Sequence, residues 1–218
     1  MRTGTVLRFA LITLVAAATT GLKCAEGPLD GGLGPGTTSL TGTWQGPIES
    51  LVEAYKDAFA RLRADPAWQE PFFAGAPELI GELAARPDIV LGIATGKSRR
   101  GVAHLVARHG WDRVFATIQT ADDAPSKPDP TMLRQAMAEA DAAPEDTIMV
   151  GDSTFDMLMA RAAGVRALGV SWGYHPVAAL EEAGAGAIAR SYGELRDLLV
   201  RLGVLPSSPG AAGTPISP

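Results

Sequence analysis

Three short loops gather the side chains of this sequence that are suited to chemistry on a charged group. Thr95-Gly96-Lys97-Ser98 comes after the apolar run Ile89–Ala94 and stands at the entry to a helix-forming stretch. A glycine there lets the backbone approach a ligand closely, and helix-start amides with a hydroxyl make an anion site. Ser126-Lys127-Pro128-Asp129-Pro130 sets a lysine among prolines. Such a lysine can hold its ammonium over a phosphate, or can simply be solvated ahead of a helix start. Gly151-Asp152-Ser153-Thr154-Phe155-Asp156 places two carboxylates four residues apart, one at the end of an apolar run and one in the first turn of a helix-forming stretch. Hard oxygen donors of this kind suit Mg²⁺, which keeps several waters and takes one or two protein carboxylates. The competing role is helix capping, for which Asp152 or Ser153 serves equally well.

The elements that must position these loops are legible in the pattern. Ile48–Arg63 carries Leu51, Ala54, Tyr55, Ala58, Phe59 and Leu62 on one stripe at helical spacing. Further helices are predicted over Ala76–Ala85, Ser98–His109, Pro130–Ala140, Phe155–Ala163, Val177–Ala183 and Tyr192–Leu202. Short apolar runs at Ile89–Ala94, Val114–Ile118, Thr147–Val150, Val165–Val170 and Ala187–Ala189 read as strands. Strands alternating with helices of about ten residues imply right-handed crossovers and a parallel sheet, with ligands outside the carboxyl ends of the strands. All three chemical loops fit that location. The first loop misses a nucleotide-binding P-loop by one residue, because Gly92 is one residue too close to Gly96 and Leu91 occupies the required position.

Composition narrows the classes. At 218 residues, 46% hydrophobic and 20% charged, the chain is long enough for one globular domain with a small appendage. A net charge of −5 argues against nucleic-acid and anionic-membrane partners. A single cysteine, Cys24, excludes an internal disulfide and a cysteine zinc cage. Residues 1–47 stand apart: they hold only two of the chain's 24 acids, Glu26 and Asp30. Phe9–Leu22 is uncharged behind Arg2 and Arg8, as in a secretory signal, but no small-x-small cleavage site comes after it and Lys23 precedes Cys24. The expectation is therefore cytoplasmic, with export as the lesser alternative. Val6–Val15 also reads as a buried strand from its β-branched content. The expected divisions are an atypical segment 1–47, a helix and hinge at 48–75, a core at 76–203 and a disordered tail at 204–218 rich in Pro, Gly and Ser.

The ordered series of an apolar strand with Thr95-Gly96, then Lys127-Pro128, then an apolar strand with Gly151-Asp152-x-x-x-Asp156 resembles the haloacid dehalogenase-like (HAD) superfamily, in its phosphoglycolate phosphatase-like branch. The resemblance covers roughly Ile48 to Leu202, and Gly169–His175 (GVSWGYH) resembles the substrate-side loop of that branch. It implies an α/β fold, a HAD-like Rossmannoid parallel sheet with helices on both faces, plus a remnant of a helical cap in the segment 48–75. It implies a Mg²⁺-dependent phosphatase acting on a small phosphorylated substrate. Thr95 and Lys127 would be the catalytic pair; Thr95, Gly96 and Lys127 would bind phosphate; Asp152 and Asp156 would hold Mg²⁺.

The family's first motif, Asp-x-Asp-x-Thr after the first strand, has no counterpart. Asp30 is the only aspartate before Asp57, and its surroundings, Pro28-Leu29-Asp30-Gly31-Gly32-Leu33, put proline where the nucleophile belongs. An enzyme of this resemblance without its nucleophile is expected to be impaired. Two alternatives stand beside it: a non-catalytic scaffold that binds phosphate or a protein partner, and a mis-started or frame-shifted chain whose residues 1–47 are foreign to the family. In either case the missing first strand leaves two rows of backbone groups to be paired, for which Val6–Val15 is the best available segment. Other residues take plainer roles. His104 and His109, five apart, belong to a helix surface or end, and Met149, Met157 and Met159 to the core. Arg99 and Arg100 are read as solvated helix charges. Trp172 and Tyr174 either wall a substrate pocket or cover the sheet edge.

Overall fold

Parallel strands buried on both faces need near-continuous apolar runs, and the runs of this chain become strands of one six-stranded parallel sheet. The computed structural model describes the backbone of residues 8–12, residues 50 and 61, and residues 72–207. In chain order these form β1 (Arg8–Ile12), α1 (Ala76–Ala84), β2 (Ile89–Ala94), α2 (Arg99–Arg108), β3 (Thr117–Gln119), α3 (Thr131–Glu139), β4 (Thr147–Gly151), α4 (Thr154–Ala163), β5 (Arg166–Val170), α5 (Val177–Glu182), β6 (Ala187–Ala189) and α6 (Tyr192–Arg201). The strand order is β3-β2-β1-β4-β5-β6. The order reverses at β1, so the crevice between the carboxyl ends of β2, β1 and β4 is where such a sheet takes a ligand.

β1 fills the central place. Ile12 pairs with Ile93 of β2 on one side and with Val150 of β4 on the other. Without it, both inner edges would expose unpaired N–H and C=O groups. On one face, Met132, Leu133, Ala136 and Met137 of α3, Met157, Met159 and Ala160 of α4 and Leu180 of α5 close over Met149 and Ala94. The three methionines expected in the core are fully buried, each worth roughly 1.5–3 kcal/mol of apolar transfer. α1 buries the stripe Ala76, Leu79, Ile80 and Leu83. It is tied to α6 by the two-pronged pair of Arg196 with Glu82, at 2.8 and 2.6 Å.

Two positions differ from the sequence reading. The strand expected over Val114–Ile118 begins only at Thr117, because Asp112–Val114 is a turn closed by Val114 N–H donating to Trp111 O (3.0 Å). Val204 and Leu205, assigned to the tail, are buried, and both amides donate to the Leu199 carbonyl. The helix expected over Ile48–Arg63 lies outside the described residues except for Ser50 and Arg61, both helical and exposed. The chain divides into two compact units, Met1–Val15 with Phe73–Pro218, and Ala16–Phe72. Among the described residues no helix is long and apolar enough to cross a membrane.

Candidate functional site

The last residue of β2, Ala94, delivers Thr95 to the end of the sheet. Thr95 is buried, its amide donates to Gln119 O at the end of β3 (3.0 Å), and its Oγ1 accepts from Lys97 N–H (3.2 Å). A hydroxyl oriented as acceptor in this way retains its own proton to donate. Beside it, a Cβ placed on Gly96 would meet nothing within 4 Å, so the loop opens onto free space there. The helix-start amides are a different matter. At the head of α2, Arg99 N–H donates to Asp122 Oδ2 (2.8 Å) and Gly101 N–H to the capping Ser98 Oγ (3.3 Å). The anion expected at this helix start is therefore the protein's own Asp122, supplied by the loop after β3. Arg99 itself grips Asp123 at 2.6 Å while remaining more than half exposed, as a solvated helix charge would.

Lys127, joined to Pro128 by a cis peptide bond, reaches across the sheet end. Its Nζ donates to Ala94 O (3.0 Å) and to Asp156 Oδ1 (2.6 Å), with 12% and 2% of the two charged side chains exposed. Ala94 ends β2 and Asp156 lies just past β4, the two strands that flank β1. The ammonium thus spans the central crevice next to Thr95.

Asp156 has a second task. Its Oδ2 accepts from Ser153 N–H (3.1 Å) and Ser153 Oγ–H (2.7 Å), while Ser153 Oγ accepts from Asp156 N–H (3.3 Å). This capping box starts α4. Capping thus falls to Ser153, which leaves the Asp152 carboxylate for other work. Gly151 is required for the box, because a Cβ there would lie 2.4 Å from Asp156 Cβ.

Asp152 is clamped by the loop after β5. Its Oδ2 accepts from Tyr174 N–H (2.9 Å), its carbonyl accepts from His175 N–H (3.0 Å), and a Cβ on Gly173 would sit 2.0 Å from Asp152 Cβ. Burial pushes its carboxyl above the ordinary value, and the like charge of Asp156 pushes it further; the Tyr174 amide and Lys127 act in the opposite direction. Lys127 is hydrogen-bonded to Asp156 and acts on Asp152 through its charge alone. Among the described residues no group of three or more His, Cys, Asp or Glu side chains is placed to hold a metal.

Thr95, Gly96, Lys127, Asp152 and Asp156 therefore meet at one sheet end. Sequence reasoning missed the Ala94 carbonyl, which has no side-chain signal, and His175, whose only signal was its place in the loop after β5. Trp172 packs on Tyr192 (ring centroids 4.9 Å apart) and edge-on to Phe73 (6.1 Å). Burial raises the Tyr192 phenol to about 12. Tyr174 is 78% exposed. His104 is exposed, and His109 caps the end of α2 and stacks on Trp111.

The sequence profile of the haloacid dehalogenase-like hydrolases matches residues 40–170. Phosphoglycolate phosphatase 1 of Pseudomonas aeruginosa is 36% identical over 153 residues, 68% of this chain and 51% of that protein. The probable phosphatase IndB of Dickeya dadantii is 37% identical over 163 residues, 74% of this chain and 70% of that one. This chain thus spans between half and seven-tenths of the length of these two relatives. In fold it is similar to a haloacid dehalogenase-like hydrolase of Streptococcus pneumoniae, with a TM-score of 0.66 over 90% of this chain and all of the other, at 20% identity.

Proposed function

Because the chain belongs to the haloacid dehalogenase-like hydrolase family, we propose that its core binds the phosphoryl group of a small phosphate monoester, in the manner of a phosphoglycolate phosphatase, and hydrolyses it poorly. Thr95 Oγ–H and the Lys127 ammonium are the donors to the phosphoryl oxygens, beside the open space at Gly96. Lys127 offsets charge on the phosphoryl group while Asp156 keeps the ammonium aimed across the crevice. Asp152 and Asp156 are the residues that would hold Mg²⁺, since they set two carboxylates, hard oxygen donors, at the same sheet end. One or two carboxylates suffice for that ion. When bound, Mg²⁺ supplies charge neutralisation to a phosphoryl group in transfer. On this reading residues 48–75 are a cap remnant and hinge, and 76–203 are the core.

The observation that carries the poor-hydrolysis half is the identity of β1. The crevice-facing strand is Arg8–Ile12, and neither it nor any residue after it before Glu26 is an acid. Thr95 and Lys127 stabilise charge, but an attacking group must still be positioned. Losing a positioned nucleophile forfeits effective molarity and covalent catalysis together, a loss of several orders of magnitude. The same observation favours a second reading, a scaffold that binds phosphate without turning it over.

A Mg²⁺-supplemented assay with phosphoglycolate and with an aryl phosphate, alongside Asp152→Ala, tests the proposal. Expected turnover lies far below about 1 per second, the low end of ordinary enzymes. Turnover at or above that rate, abolished by Asp152→Ala, would mean that a nucleophile operates outside the first strand. Calorimetric binding of orthophosphate without turnover would select the scaffold reading.

A further inference from the structure

The loop after β5 lies over Asp152 and holds its carboxylate from above. The loop makes two hydrogen bonds to that residue, from the Tyr174 and His175 amides, and comes so close at Gly173 that no side chain fits. A surface loop with this much contact on one residue needs an anchor of its own, because loop tips are otherwise the mobile part of such a sheet. The anchor is visible one residue beyond. The first residue of α4, Thr154, donates its amide to His175 Nδ1 at 3.0 Å. That amide belongs to the helix start, where N–H groups have no partner within the helix. Two aromatic rings adjoin it: Phe155 lies 5.8 Å away, and Tyr174 meets it edge-on at 4.8 Å. Phe155 is 46% exposed on the first turn of α4, an unusual place for a large apolar side chain. Backing the imidazole gives it a function.

We propose that His175 is a positioning residue: its Nδ1 latches residues 171–175 to the start of α4 and thereby fixes the direction of the Asp152 carboxylate. The proposal rests on the reading of Asp152 as a cation ligand only for its consequence, not for the latch itself. Acceptance at Nδ1 places the neutral ring's proton on Nε2. The geometry closes a ring of contacts from Asp152 through Ser153 and Thr154 to His175 and back through the His175 and Tyr174 amides. Neither Asp152 nor the loop can then turn without breaking a hydrogen bond. Partners of this indirect kind typically account for 10–100-fold in metal affinity.

The test uses the full chain and two variants. His175→Phe keeps an aromatic ring beside Phe155 and Tyr174 and removes the acceptor; His175→Asn returns an acceptor oxygen at about the position of Nδ1. Two quantities are read: amide hydrogen exchange at Thr154 and Tyr174, and affinity for Mn²⁺ by calorimetry. H175F is expected to speed exchange at both amides by about tenfold, the size of one lost hydrogen bond, and to weaken Mn²⁺ binding about 10–100-fold. H175N is expected to bring both readouts back to within about threefold of the parent. Parent-like exchange at both amides in H175F would overturn the latch. Faster exchange at Thr154 alone, with Tyr174 and Mn²⁺ unchanged, would overturn its coupling to Asp152. Failure of H175N to restore either readout would overturn the acceptor role. A parent that binds no Mn²⁺ would overturn the cation reading of Asp152, while the exchange rates would still decide the latch. Should H175F not fold, the scalar coupling across the hydrogen bond between the Thr154 amide and His175 Nδ1, read by NMR in the parent, decides the latch, and its absence overturns the proposal.

Discussion

Lys127→Met keeps most of the side chain's length and apolar stem while removing its charge. In the parent the ammonium stands 2.6 Å from Asp156 Oδ1 and 3.0 Å from the Ala94 carbonyl. The variant leaves Asp156 as a carboxylate only 2% exposed, with the Ser153 donors but without this cation. Breaking a buried pair by deleting one partner typically costs about 3–5 kcal/mol, most of it the penalty for the stranded charge. The residual exposure of Lys127, 12% of its side chain, puts the expectation at the lower end, about 3 kcal/mol. For a protein of this size that lowers Tm by about 6–12 °C. Asp156→Asn removes the stranded charge and still offers an oxygen to Ser153, so the double variant is expected to recover about 2 kcal/mol of the loss. Urea denaturation monitored by tryptophan fluorescence, run as a double-mutant cycle, measures each step. A Lys127→Met cost below about 1 kcal/mol, or a double variant no more stable than the single, would refute the account of Lys127 and Asp156 as a buried, mutually dependent pair.

The same geometry sets two further outcomes. Burial and Asp156 hold the Asp152 carboxyl above its ordinary value, so ionising it penalises the folded state: its contribution to stability is fullest below the ordinary carboxylate range and falls as pH rises through the folded value. In a chelator, Asp152→Asn should therefore stabilise the protein at neutral pH by about 0.5–2 kcal/mol, as relieved functional sites commonly do; denaturation repeated in strong acid should show the gain gone. Gly173→Ala drives a methyl group to within 2.0 Å of Asp152 Cβ, so the loop must move; about 1–3 kcal/mol of stability should be lost, with faster exchange at the Tyr174 amide as the local sign.

Much of this arrangement is legible in the residues alone because parallel sheets impose apolar runs of a given length and place polar punctuation at one end. Ile89–Ala94, Thr147–Gly151 and Arg166–Val170 lie within a residue of their expected bounds, and the loops behind them carry Thr95, Asp152 and Trp172. The features that are not legible depend on partners far away in sequence. That Asp122 would occupy the head of α2 required the β3 loop to fold back over 23 residues. That Ser153 would take the cap and release Asp152 was undecided, since either residue caps a helix; only the approach of the 171–175 loop to Asp152 separates the two. β3 was misplaced because Val114 and Phe115 satisfy an apolar pattern whether they lie in a strand or pack from a turn.

The central strand separates two demands that a sheet of this kind ordinarily meets with one segment. Pairing asks only for an extended backbone, which β-branched and other apolar residues favour, and Arg8–Ile12 fulfils it against both β2 and β4. Chemistry asks for a carboxylate at the end of that same strand, and sheet pairing exerts no pressure for one. A chain can therefore keep its topology, its buried Lys127–Asp156 pair and its clamped Asp152 whatever residues end the central strand, because each of those features is held by β2, β4, α4 and the loop after β5. The fold is evidence for the family, and the carboxylate is evidence for the reaction. In this chain the first is present, and the phosphatase assay with its Asp152→Ala control decides the second.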